Sequence, residues 1–401
     1  MQALHLSAFS ATSALGIGLT ASLDALAANR SGLVPCAFET VRLAAYVGEV
    51  PALADVRLPA ALADYDCRNN RLALFGLAQD GVADAVRSAA QRYGAGRVGV
   101  FLGTSTGGIL ETEQAYRQRD ASGAFVRPPS YRGSHTPYAL AEVVSRHLGL
   151  AGPSFVVSAA CASSAKVFAS AARLIEAGII DAALVGGVDS LCLTTLYGFN
   201  SLELLSPEPC RPYSAARRGI SIGEAAAFAL LERPAAELPP DAVLLGGVGE
   251  SSDAYHMSSP QPEGRGAEVA MQAALASAGL TPRQVDYLNL HGTATSNNDA
   301  AEGLAVTRLF GNGVPVSSTK GATGHTLGAA GALEVVIGAL ALRHGLIPGS
   351  PGSDPIDDTF DLDYVLTPRR QTLNVVMSNS FGFGGSNASV VLRRAVMQGD
   401  A

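Results

Sequence analysis

Lysine is nearly absent from this 401-residue chain: Lys166 and Lys320 stand against 26 arginines among 28 basic residues. In so arginine-rich a background, a retained lysine marks a place that suits a compact point charge on a flexible stem. Charge as a whole is scarce, at 16% of residues against 48% hydrophobic. That balance excludes a disordered chain, which pairs low hydrophobicity with high charge. A net charge of -7 argues against a general nucleic-acid binder, which presents a basic face. Cysteine is limited to Cys36, Cys67, Cys161, Cys192 and Cys210, with no CxxC pair and no His/Cys spacing suited to a metal. The odd count in a long chain speaks against a disulfide scaffold and for a reducing compartment. No positive charge precedes Arg30, so the N-terminus makes a poor signal peptide. No uninterrupted apolar run reaches the ~18 residues of a membrane helix. The expectation is a cytoplasmic protein with no membrane span and no metal.

Glycine is abundant, but its 44 residues are scattered, which excludes collagen-like and linker-like chains. Apolar strand-like runs alternate with helical patterns, as in α/β folds with buried sheets. Strands are expected at Leu4–Phe9 and Val98–Leu102, and helices at Thr20–Ala28, Arg68–Leu77 and Val82–Arg92. Pro128 to Pro137 reads as an irregular insertion. Two segments about 160 residues apart share one plan. Phe155–Ser158 leads through Cys161 into an alanine-rich helix ending at Glu176. Val314–Ser318 leads through His325 into a second such helix, Ala329 to Arg343. This repetition indicates two similar halves, 1–240 and 241–401, divided near the Pro-rich turn Glu237–Asp241.

Chemistry concentrates in four places. Cys161 lies where a strand meets a helix start, a setting that acidifies a thiol through the helix dipole. The other cysteines lack this setting and read as structural. His291 ends the apolar run Val285–Leu290, where α/β proteins bind ligands, and Thr293 and Thr295 beside it offer hydroxyls to an amide-bearing arm. His325 lies in Lys320-Gly-Ala-Thr-Gly-His325, with Lys320 and Glu334 placed to pair across the loop and orient its imidazole. The segment Asn379-Ser-Phe-Gly-Phe383-Gly-Gly-Ser-Asn387 combines a bulky gate with backbone N–H groups for an oxyanion. One thiol and two histidines in glycine-lined loops suit acyl transfer through a thioester.

Taken in order, Ala160-Cys161-Ala-Ser-Ser, His291-Gly-Thr-Ala-Thr295, Lys320-Gly-Ala-Thr-Gly-His325 and Ser380-Phe-Gly-Phe-Gly-Gly385 resemble the β-ketoacyl-acyl-carrier-protein synthases of the type I/II class, in the thiolase superfamily. The resemblance spans essentially the whole chain. It implies a thiolase-like fold, two α/β halves in a five-layered αβαβα stack. It implies that Cys161 takes an acyl group from an acyl carrier protein, and that His291 and His325 stabilise the enolate left when malonyl-carrier loses carbon dioxide. Phe383 and Cys161 would supply the oxyanion hole, with Phe383 also the gate. Thr293 and Thr295 would contact the phosphopantetheine arm, and Lys320 and Glu334 form the supporting pair. No cofactor is implied beyond the arm that the carrier brings. Arg68 and Arg71, in Asp66-Cys-Arg-Asn-Asn-Arg71, resemble the family's basic helix near the carrier docking site. The resemblance further implies a dimer, with itself or with a ketosynthase-like subunit, in fatty-acid or polyene/polyketide synthesis. An aryl polyene assignment rests on Lys166, which by helix phase faces the acyl tunnel or the dimer seam.

The pattern departs from the family at Ser214, where aspartate is common, and at Ala225–Ala227, where glycines are usual. Other readings are a non-catalytic chain-length partner, a coenzyme A-dependent thiolase-like enzyme and a cysteine hydrolase. The first would lack Cys161. The second would show Cys-His-Asn or Cys-His-Cys, and the third leaves the second histidine and the Phe-Gly tail without a role.

Overall fold

A computed structural model describes residues 1–395. Its framework strands are β1 (Leu4–Ser13), β2 (Val98–Gly103), β3 (Ser154–Val157), β4 (Ala182–Asp189) and β5 (Ala225–Glu232). They continue with β6 (Val243–Ser252), β7 (Tyr287–Asn289), β8 (Pro315–Ser317), β9 (Asp363–Tyr364), β10 (Val375–Gly382) and β11 (Ser386–Arg394). The main helices are α1 (Arg68–Leu77), α2 (Val82–Tyr93), α3 (Tyr138–Leu148), α4 (Ser163–Glu176), α5 (Arg265–Ala278), α6 (Ser296–Phe310) and α7 (Ala330–His344).

In the first sheet the strand order is β3-β2-β4-β5-β1, and in the second β8-β7-β10-β11-β6, with β9 added outside β8. The sense of pairing also repeats. The first two pairs are parallel and the next two antiparallel in each sheet. The sheets touch edge to edge at β1 and β6, where Leu4 pairs with Leu245 and His5 with Leu244.

Between the sheets lie α4 and α7, and one apolar cluster joins their Phe168, Ile175, Val336 and Leu340 to strand residues from both sheets. Helices α1, α2 and α3 cover the outer face of the first sheet through Leu72, Val86 and Val144. The outer face of the second is packed with Met271, Leu275 and Val306 of α5 and α6. The result is five layers, αβαβα, the thiolase-like fold.

Small residues permit the central layer. A Cβ on Gly331 of α7 would stand 2.6 Å from the Ala165 backbone nitrogen of α4, and one on Gly103 would stand 2.3 Å from that of Ser164. Any side chain there pushes the helices off the sheets and apart. The stretch Leu327–His344 has the length and mean hydropathy of a membrane span, 1.4, but 89% of it is buried inside the protein. Its apolar surface already has a partner. Pro128 to Pro137 forms a loop with a single wide turn, Tyr131–His135.

Candidate active site

Cys161 stands two residues before α4, on a sharp elbow. Ala160 is held at φ +48°, a left-handed conformation that a non-glycine residue adopts only when its surroundings enforce it. The enforcement is local. The Ser163 hydroxyl donates to the Ala160 carbonyl at 2.5 Å and accepts the Ala159 N–H at 2.9 Å, while Ser105 donates to the same carbonyl at 3.3 Å. The loops that bear the histidines contain the same device, Ala294 at φ +66° after His291 and Leu327 at φ +53° after His325.

These loops bring the three expected residues together. His325 Nε2 lies 3.0 Å from Cys161 Sγ, and the two imidazole rings stand 5.3 Å apart, edge to face. All three side chains are buried, at 6% exposure or less. Lys320 and Glu334 are ion-paired in the interior. The imidazole they serve differs from the expectation. Lys320 Nζ lies 3.4 Å from Nδ1 of His291, whereas Nδ1 of His325 accepts the Leu327 N–H at 3.3 Å. Sequence proximity pointed to His325, but the side chain of Lys320 crosses to the neighbouring strand end. A lysine ammonium and a backbone N–H can only donate, so each Nδ1 is an acceptor and each neutral ring keeps its proton on Nε2, which in His325 faces the Cys161 sulfur.

The electrostatics also correct the reading of the thiol. Burial pushes Cys161 up to about 12; the Lys320 charge and the Phe383 backbone N–H act downward without overcoming it. At rest the sulfur is therefore a thiol, because desolvation outweighs the neighbours that favour its charged form. Burial, then the Lys320 charge, holds both histidines well below their ordinary value and hence neutral. Burial raises Glu334 to about 7 against the pull of Lys320.

The cavity around these groups encloses about 500 Å3 and is also lined by Thr293, Thr295, Phe199 and Phe383. Thr293 and Thr295 share a hydrogen bond of 2.8 Å between their hydroxyls. Phe383 is half-buried, its ring 5.7 Å from that of Phe199 at the opposite wall. Gly382 presses the tail loop onto the elbow; a Cβ there would approach the Ala159 carbonyl oxygen to 2.9 Å.

Arg68 and Arg71 stand apart from this cavity, and each is held in an ion pair within the protein. Arg68 donates to buried Glu224 at 2.6 and 2.9 Å, and Arg71 forms a two-point pair with Asp66, both bonds at 2.6 Å. Lys166 does not line the cavity; it pairs with Glu250 at 3.1 Å, across from α4 to β6, and Glu250 also holds Arg173. Ser214 donates to the Pro355 carbonyl at 2.9 Å, and Ala225–Ala227 lie within β5, fully buried.

Several organising carboxylates escaped sequence reasoning. Glu302 on α6 accepts the backbone N–H groups of His291 and Gly292 at 2.7 and 2.8 Å, and Asn379 from the tail at 3.1 Å. Asp299 one turn earlier accepts those of Thr293 and Tyr213. The spacing Asp299-Ala-Ala-Glu302, at the start of a helix just after the histidine motif, was the available signal. Asp189 ends β4, and its carboxylate accepts the N–H and O–H groups of Thr106, the Thr104 hydroxyl, the Ser105 N–H and, at 3.2 Å, the Ala329 N–H.

The Cys161 sulfur and one nitrogen from each imidazole lie within 4.8 Å of one another. A thiol beside two N–H donors can accept an acyl group and then stabilise negative charge on a second substrate's oxygen. The sequence is shared with proteins of this chemistry. Residues 75–236 match the family model for the N-terminal domain of β-ketoacyl synthases and residues 242–354 that for the C-terminal domain. The chain belongs to the β-ketoacyl synthase family. It is thus a condensing enzyme of the acyltransferase class. Relatives include nodulation protein E of Rhizobium meliloti, 39% identical over 307 residues, 74% of this chain and 76% of that one. The 3-oxoacyl-[acyl-carrier-protein] synthase 2 of Rhizobium meliloti (strain 1021) is 39% identical over 315 residues, 74% of each chain. Among solved structures, a chain of the complex of the ketosynthase ApeO with its chain length factor ApeC, from Xenorhabdus doucetiae, superposes with a TM-score of 0.90. It is 38% identical, and 98% of both chains is covered. The ishigamide ketosynthase/chain length factor superposes equally well at 26% identity, covering 98% of this chain and all of that one.

Proposed function

We propose that this enzyme joins an acyl group held on Cys161 to malonate delivered by an acyl carrier protein, releasing carbon dioxide and a 3-ketoacyl-carrier. The observation that supports it most directly is the convergence of Cys161, His291 and His325 in one cavity, with His325 Nε2 3.0 Å from the sulfur and the two imidazole rings 5.3 Å apart. In the first step Cys161 sulfur attacks the acyl thioester. The carrier thiolate leaves, and the proton lost from Cys161 ends on it. In the second, the malonyl C–C bond to carboxylate breaks, and its electron pair passes into an enolate whose oxygen takes hydrogen bonds from His291 and His325. The enolate carbon then attacks the Cys161 thioester, and the Cys161 and Phe383 N–H groups hold the oxyanion. Its collapse breaks the bond to Cys161 sulfur, freeing the 3-ketoacyl-carrier and a thiolate that takes a proton from solvent. Burial of the three side chains raises the value of each donor.

Phe383 against Phe199 forms the gate, Thr293 and Thr295 receive the phosphopantetheine arm, and no cofactor is required beyond that arm. The enzyme acts in the cytoplasm in polyene or other polyketide synthesis, and similarity to ketosynthases paired with chain length factors supports a ketosynthase-like partner subunit. The presence of Cys161 with both histidines favours the catalytic member of such a pair.

The test is intact-mass analysis of carrier and enzyme after incubation with acyl-carrier and malonyl-carrier. The expected product is the two-carbon-extended 3-ketoacyl-carrier. Cys161→Ala abolishes the acyl-enzyme mass, whereas His325→Ala retains it and forms no product. Undiminished acyl loading in Cys161→Ala would overturn the assignment.

A further inference from the structure

Two consecutive arginines, Arg217 and Arg218, precede the strand-like return at Ile220, and they meet different fates. Arg217 is drawn inward: its guanidinium donates to Asp357 at 2.6 Å and to the Ser214 carbonyl at 2.9 Å, and lies over the Phe360 ring. Arg218 is exposed, lines the catalytic cavity, and among the described residues its side chain has no ion pair and no hydrogen bond. It is the sole lysine or arginine among the residues lining that cavity.

Its backbone fixes where this charge stands. The next residue, Gly219, donates its N–H to Ala294 at 2.9 Å, and Ile220 donates to Leu204 at 2.8 Å. Arg218 is therefore pinned beside the turn whose flanking hydroxyls, Thr293 and Thr295, line the passage to Cys161. Gly219 admits no substitute there, because its φ is +112° and a Cβ would stand 2.2 Å from the Leu204 carbonyl oxygen. Two carboxylates share the wall. Asp253 is engaged by Asn387 at 2.7 Å and by the Gln261 N–H at 3.0 Å, and exposed Glu203 makes no ion pair with Arg218. An unpartnered guanidinium at the rim of a cavity that ends in a neutral thiol and two neutral imidazoles is a place for an anionic group on an otherwise neutral ligand.

We propose that Arg218 recognises the phosphodiester of the carrier's phosphopantetheine arm, and so sets the preference of this site for a phosphorylated arm. The proposal rests on the carrier-dependent reading above. It gives the arm two separate contacts: threonine hydroxyls for its amides, and a planar two-point donor for its phosphate.

The full-length enzyme, loaded on Cys161 from acyl-carrier, is assayed with malonyl-phosphopantetheine and malonyl-pantetheine as extender probes. The expected KM is lower for the phosphorylated probe by about tenfold, the scale of one charge-assisted hydrogen-bond pair, and the gap narrows with added salt. Arg218→Gln removes the gap by raising KM for the phosphorylated probe, while Arg218→Lys keeps part of it. Circular dichroism and melting checked beside wild type exclude misfolding as the cause. A gap that persists in Arg218→Gln overturns the proposal, as does a wild-type enzyme that treats both probes alike. A loss confined to carrier-bound malonate would assign Arg218 to carrier carboxylates and overturn it too. Failure of wild type to condense with malonyl-carrier itself would instead overturn the reading beneath it.

Discussion

Cys161 was legible in the sequence because its neighbours are small and a strand runs into it; its protonation state was not. The helix start argued for a ready thiolate, whereas burial, the largest influence on this thiol, lifts it to about 12. The sign of the consequence is definite. Below that value the thiolate fraction rises about tenfold with each pH unit, so alkylation of resting Cys161 by iodoacetamide should keep accelerating from pH 6 through pH 9. A plateau near pH 7 would show that the sulfur is ionised at rest. Lys320 and Glu334 were likewise recognised as a pair, but their service to His291 was not. That contact joins residues 29 apart through the end of a sheet, a relation no local spacing reveals. The ion pair of Arg68 was out of reach for the same reason. Its partner Glu224 lies 156 residues away, and a basic helix with its charge turned inward looks identical in sequence to one facing solvent.

At the scale of elements, the helices and long strands followed from apolar periodicity and small-residue content. The expected helices Arg68–Leu77 and Val82–Arg92 match α1 and α2 to within a residue. The repeated strand–turn–helix segments become the neighbours α4 and α7. What periodicity did not report is how the intervening loops are locked, because buried carboxylates do that work from other elements. Asp189 is the clearest example, tying the Thr104–Thr106 turn after β2 to Ala329 at the head of α7. Asp189→Ala would leave several buried N–H and O–H groups without an acceptor, each costing about 1–3 kcal/mol. The expected result is a loss of at least about 3 kcal/mol in urea unfolding, with acyl loading falling in parallel. An unchanged midpoint would show that the turn has other support.

Across the whole molecule, the two sheets repeat one order and one sense of pairing, yet they contribute unequally to chemistry: the thiol comes from the first set of strands and both imidazoles from the second. Packing of α4 and α7 joins them, aided by the Lys166–Glu250–Arg173 cluster. That cluster is partly exposed, so its value is modest, about 1 kcal/mol or less. Lys166→Met should therefore shift stability only slightly and leave acyl loading on Cys161 intact by mass. Loss of loading would return Lys166 to the acyl path. The division of labour between sheets also has a consequence in time. During synthesis Cys161 emerges 130 residues ahead of His291 and 164 ahead of His325. A nascent chain halted between them presents the sulfur without a single hydrogen-bond donor from the histidines. Condensation thus arrives late and all at once, when the second set of strands closes over α4: an unfinished chain carries the sulfur, but it has no donors to hold an enolate and so cannot extend an acyl group.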